Sequence, residues 1–131
     1  MSVCGNQPLF LEQAADSVPI VYTWYPNATS ATSLGTAQNL TGYTCRLMVR
    51  ITPEDSGSPV ATFNPTLGGA AGTITISFTH NDTNTLFPLL PYTSANGAYG
   101  WYDVVLTSAG GVQTRFIDKS PIFISSGVTR P

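Results

Sequence analysis

Charge is scarce in this chain. Five of its 131 residues are Lys or Arg and seven are Asp or Glu, a charged fraction of 9%, where an average soluble protein carries about 25%. A net charge of −2 offers no basic field to a polyanion, so nucleic acid is not an expected partner. Long apolar runs are missing too. No stretch approaches the roughly 20 residues that a membrane-spanning helix needs, and no membrane partner is expected. The Met1–Gly5 start has neither a basic segment nor an apolar one, so it does not read as a secretory signal. The expectation is a soluble chain made in the cytoplasm, in which the acceptor motifs at Asn27, Asn39 and Asn81 stay idle.

Chemistry-bearing residues are few. His80 is the one histidine, and it sits among Asn81, Asp82 and Asn84 in a polar turn. A nucleophile-base-acid site is defined by geometry, and no nucleophile elbow is present to accompany it. A solvent-exposed or capping histidine is the expectation. Cys4, Cys45 and His80 lack zinc-ligand spacing. "NDTN" lacks the loop glycine and distal Glu of a calcium site. Glu54 and Asp55 are adjacent in a turn and read as a solvated pair. Gly68-Gly69 and Gly110-Gly111 have no Lys-Ser or Lys-Thr after them and read as turns. The chain is therefore expected to be no enzyme and to take no cofactor or metal. Cys45 lies on the apolar parity of its segment, as a small buried hydrophobe would. A bridge from Cys4 to Cys45 stays open, since spacing alone cannot show its geometry.

What the chain has instead is alternation. In "LTGYTCRLMVRI", Tyr43, Cys45, Leu47, Val49 and Ile51 share one parity, while Thr44, Arg46, Met48, Arg50 and Thr52 share the other. That is the period of a half-buried strand. Strands are also expected at Val18–Tyr25, with Trp24 as a core anchor, and at Val60–Asn64, Thr73–Phe78, Ala98–Thr107, Val112–Asp118 and Pro121–Ser125. Residues 26–39 read as a loop, Pro53–Pro59 as an exposed hairpin turn, and "LGGAAG" and "SAGG" as turns. The longest irregular stretch is 79–97. Thr79 or Asn81 could cap one helical turn there, which Pro88 would end. Residues 1–13 read as an arm with a short edge segment, "QPLFLEQ". Short strands at about ten-residue spacing imply one all-β domain over 1–131: an antiparallel, immunoglobulin-like β-sandwich of seven to eight strands with an N-terminal arm. Trp24, Leu47, Val49, Ile74, Ile76, Tyr102, Val104 and Leu106 are its expected core.

The candidate interaction residues follow from the same parity. Low charge and the apolar "PLFLEQ" imply apolar surface that a partner covers, with Phe10, Leu11 and the stretch Leu86, Phe87, Leu89 and Leu90 in subunit contacts. Arg46 and Arg50 fall on the outward parity of their strand. Two readings stand side by side: protection of a sheet edge, and an interface, where Arg is enriched. Tyr99 and Trp101 lie opposite to the Tyr102, Val104 and Leu106 parity. Packing beneath the 79–97 segment or beneath a partner is the preferred reading, and stacking on a sugar the other.

Taken in order, "LTGYTCRLMVRI", an acidic Ser/Gly turn, "GTITISF", "AYGWYDVVLTSAGGVQTRF" and "GVTRP" resemble the small β-sandwich domain of tailed-phage virion proteins. That domain stands at the N-terminus of upper baseplate proteins and alone in tail or fibre-attachment proteins. The matching positions are Leu40, Thr41, Gly42 and Tyr43; Arg50; Gly72, Ile74 and Ile76; Tyr102, Asp103, Val104 and Leu106; Gly110 and Gly111; and Val128, Thr129 and Arg130. The chain departs from the pattern in a longer, proline-rich 79–97 segment and at Lys119-Ser120-Pro121. The resemblance implies a non-enzymatic virion building block, an adaptor in the tail, baseplate or fibre region. Its partners would be other virion proteins, in multiple copies within a symmetric assembly put together in the host cytoplasm. A capsid decoration protein and a carbohydrate-binding module for host-surface glycans are the competing expectations.

Overall fold

The structure is a computed structural model. It describes residues 7–13, 15–30, 32–52, 59–90, 92–94 and 97–125. Cys4, most of the Pro53–Pro59 turn and the closing Val128-Thr129-Arg130 lie outside the described residues. The fold is an all-β sandwich with one short helix. The strands among the described residues are β1 (Leu9–Glu12), β2 (Ile20–Thr23), β3 (Thr44–Arg50), β4 (Ala61–Phe63), β5 (Thr66–Leu67), β6 (Thr73–Ile76), β7 (Tyr92–Ser94), β8 (Gly97–Thr107) and β9 (Gln113–Ser125). One sheet runs β1-β9-β8-β3-β4, with β7 also paired to β8; the other runs β2-β6-β5. All pairings are antiparallel except β1 with β9, which is parallel.

Side chains that alternate along each strand meet between the sheets. Leu47 and Val49 of β3, Ile74 and Ile76 of β6, and Tyr102, Val104 and Leu106 of β8 are buried together, as the parity predicts. Trp24 is half-buried at the margin of this cluster. It packs edge-on to Tyr43 and Phe116, and Phe116 also meets Tyr22 edge-on, a favoured geometry for aromatic pairs. Cys45 is a free, buried thiol whose pKa burial pushes up to about 12.

Two turns show why the chain reverses where it does. Leu40–Tyr43 is closed by Tyr43 N–H donating to the Leu40 carbonyl, with Gly42 at φ 84°. That value suits glycine at the third position of a tight turn. Gly72, at φ 71°, enters β6 so close to the 26–39 loop that a Cβ there would stand 2.6 Å from the Gln38 carbonyl oxygen.

Three expectations are corrected. The 79–97 stretch is not one irregular loop with a single turn. It holds a two-turn helix, α1 (His80–Leu86), a 3₁₀ turn at Phe87–Leu89, and β7. Thr79 is the cap: its hydroxyl accepts from Asp82 N–H while the Asp82 carboxylate accepts from Thr79 N–H. This reciprocal arrangement satisfies two donors that a helix start leaves free. Second, the strands expected at 112–118 and 121–125 are one strand, β9, which starts at Gln113 and runs through 119–120. The register slip between Tyr102 and Val105 and the positive φ of Lys119 (48°) absorb the irregularity, so Pro121 does not end the strand. Third, "QPLFLEQ" supplies core as well as edge, because Leu9 and Leu11 point inward from β1.

Candidate functional site

Each sheet has a face turned away from the core and an edge strand at either end, β1 and β4 in the larger and β2 and β5 in the smaller, and the candidate interaction residues divide among them by parity. On the outer face of the larger sheet, Arg46 stands opposite Val105, which stands opposite Arg115. Val105 is only 7% exposed although it faces outward; the long aliphatic stems of its two arginine neighbours suit such cover. Arg50 stands opposite Trp101, which stands opposite Pro121, and the Arg50 guanidinium reaches the Met48 sulphur at 3.8 Å. β3 is an interior strand, flanked by β8 along its whole length and by β4 at Leu47–Val49. Edge protection is therefore not what Arg46 and Arg50 supply. They belong to a broad sheet face.

Along the same face, Phe10 of β1, Phe123 of β9 and Tyr99 of β8 are direct cross-strand neighbours. They form an aromatic row across three strands. Phe10 is 78% exposed and Tyr99 43%. The expected cover over Tyr99 and Trp101 is absent from the 79–90 segment, which lies on the other side of the sheet. Leu90 packs against Gly100, whose parity is that of the buried Ala98 and Tyr102. Leu86 and Leu90 are core residues, as is Leu11, so these three side chains are spent within the chain and are not available to a neighbour. Phe87 is partly buried against the same cluster. Of that group, Phe10 and Leu89 remain exposed.

A cleft of about 560 Å³ lies at the edges, between β1, at one edge of the larger sheet, and β2, at one edge of the smaller. Leu9, Leu11, Ile20, Ile76 and Phe78 supply its apolar lining, and Phe10, Glu12, Asp16 and Val18 stand at its margin. Val18 is 82% exposed. One end is drawn together where the Tyr22 hydroxyl meets Gln7 Oε1 at 3.4 Å and the Tyr102 hydroxyl donates to the Gln7 carbonyl. At the other, Ser17 N–H donates to the Phe78 carbonyl at 2.8 Å and the Ser17 hydroxyl accepts from Phe78 N–H at 2.8 Å. Asp16 accepts from the His80 backbone N–H at 2.6 Å and lies 3.0 Å from its Nδ1. The side-chain hydrogen bond, then the backbone one, holds the Asp16 carboxyl below its usual range. His80 is thus a tether between α1 and the β1–β2 link. A second cavity, about 40 Å³ against Leu47 and Phe63, lies on the other side of Ile76 and Phe78.

The remaining charged cluster is structural. Arg115 Nη1 donates to Asp103 Oδ2 at 2.7 Å and lies 3.4 Å from Asp118 Oδ1. It ties together the two strands where their register slips. Among the described residues, no three His, Cys, Asp or Glu side chains gather as metal ligands.

Alternation alone did not single out Phe123, Val18, Glu12 or Asp16. Phe123 carries a legible signal, being the odd parity of "PIFIS" between two core isoleucines. That it stands beside Phe10 depends on a pairing between chain ends 113 residues apart in sequence. No protein-family model matches the chain, and no curated protein matches it.

Proposed function

We propose that this chain is a non-enzymatic structural adaptor of a tailed-phage particle, working in the tail, baseplate or fibre-attachment region. Its binding surface is the β1 edge with the adjoining aromatic row. The observation that carries this reading is the continuity of exposed apolar surface there. Phe10, Val18 and Ile20 are all exposed around one cleft, in a chain that has little charge to keep such surface apart from others. Monomeric soluble proteins rarely leave large apolar patches bare. The motif order that resembles the virion domain supports the particle setting, with Gly42 and Gly111 at positive φ in the turns where that pattern has glycine.

Mass spectrometry of purified virions from the genome that encodes the chain tests the reading. The wild-type chain is expected in the particle at several copies. Phe10→Asp is expected to fold and to be depleted from particles, because Phe10 contributes little to the core. Absence of the wild-type chain from intact virions overturns the proposal. Truncation of residues 1–11 is not a suitable test, since it removes Leu9 and Leu11 from the core.

A further inference from the structure

Among the described residues, no strand pairs with the outer edge of β1. Along a strand, backbone groups point alternately to one side and the other. Gln13 N–H donates to the Ser125 carbonyl at 2.9 Å, Gln7 N–H donates to Ser120 Oγ, and the Leu11 carbonyl accepts from Ser125 Oγ. The odd-numbered residues of β1 therefore spend their backbone groups on β9. The N–H groups of Phe10 and Glu12 and the carbonyl of Phe10 point the other way, away from β9, at the margin of the cleft. Natural sheet edges are usually blunted by lysine, proline or a covering element. At this one a phenylalanine stands exposed beside an apolar hollow, with Pro8 only at its entry.

The charge at the mouth has one sign. Among the described residues, Glu12 and Asp16 are the only ionisable ones lining the cleft. Glu12 shares the outward parity of Phe10 and is exposed. Asp16 is already engaged by His80, which leaves Glu12 as the stronger attractor.

We propose that the mouth between β1 and β2 receives an extended segment of a partner protein. That segment pairs with the free edge of β1, drops alternate apolar side chains into the cleft, and sets a basic side chain against Glu12. The inference deepens the adaptor reading and rests on it for a neighbouring protein. Strand addition of this kind draws affinity from main-chain hydrogen bonds and specificity from pockets for alternate side chains. Here the inward positions select apolar residues and the outward positions select an apolar residue beside Phe10 and a cation beside Glu12. Over the four residues of β1 the segment spans about 13 Å, at roughly 3.3 Å per residue.

The test uses the full isolated chain and two synthetic eight-residue peptides, capped at both ends. Both carry valine at alternate positions; one has lysine between them, the other glutamate. The lysine peptide is expected to bind saturably, to shift the amide resonances of Leu9–Glu12 and Ile20–Tyr22, and to bind at least about tenfold more tightly than the glutamate peptide. Phe10→Pro removes an outward donor without touching the β1–β9 ladder, since proline is tolerated on an edge strand where its N–H would face outward. It is expected to weaken the lysine peptide at least about tenfold while leaving the melting curve intact. Glu12→Lys is expected to reverse the preference between the peptides. Three results overturn the proposal: no binding of either peptide, resonance shifts confined to the Tyr99–Trp101 face, or a wild-type self-association that Phe10→Pro abolishes, which would make the occupant a second copy. Peptide binding is read on the isolated chain, and particle incorporation on virions. Loss of the first with retention of the second sinks this inference alone.

Discussion

Phe10 and Leu11 are adjacent in sequence and opposite in fate: one is 78% exposed, the other buried in the core. The cause is the two-residue period of a strand, which sends neighbours to opposite faces. The same rule separates Cys45, buried between the sheets, from Arg46 on the outer face. Cys45 illustrates what burial does to chemistry. A thiol reacts as its thiolate, and burial pushes this one to a pKa of about 12, so its thiolate is scarce near neutral pH. Iodoacetamide at pH 8, followed by peptide mapping, is expected to leave Cys45 unmodified in the native chain and modified in urea. Rapid native modification would place the thiol outside the core.

At the scale of elements, α1 shows a short helix held by its end rather than by its length. Isolated helices this short are marginal. The reciprocal bonds between Thr79 and Asp82, burial of Leu86, and the Asp16 contact to His80 make it persist. Thr79→Ala is expected to cost about 0.5–2 kcal/mol, the usual range for a lost cap, while Asn84→Ala, on the exposed face, stays within about 0.5 kcal/mol. Urea denaturation of both variants checks this; equal, small effects would mean that the cap is dispensable. β9 makes the complementary point. Lys119-Ser120-Pro121 reads locally as a break, yet the strand continues, because β8 on one side and β1 on the other supply pairing that outweighs a local interruption.

At the scale of the whole molecule, the sandwich is asymmetric: an open cleft of about 560 Å³ at the β1–β2 mouth and about 40 Å³ by Leu47 and Phe63. Core residues should feel that difference. Leu106 is enclosed, while Ile76 lines the cleft, so truncation at Ile76 enlarges a space that solvent already reaches. Leu106→Ala is expected to cost about 3–5 kcal/mol and Ile76→Ala about 2–3 kcal/mol, the spread reflecting how far each site can relax. Denaturant midpoints at equal slope measure both; a larger cost at Ile76 would mean that the cleft wall is the tighter side. Period and turn chemistry in the sequence alone determined the all-β class, the inward set of β3, β6 and β8, and the turns at Gly42 and Gly110-Gly111. These are local properties, written in alternating residues and in glycines that tolerate positive φ. Only the tertiary structure decided that β1 runs parallel to β9, that Phe10 stands beside Phe123, that Leu86 and Leu90 turn inward, and that the mouth opens at β1 and β2. Those outcomes depend on which distant strands pair and which edges are left over, and an alternating pattern is equally compatible with many such pairings.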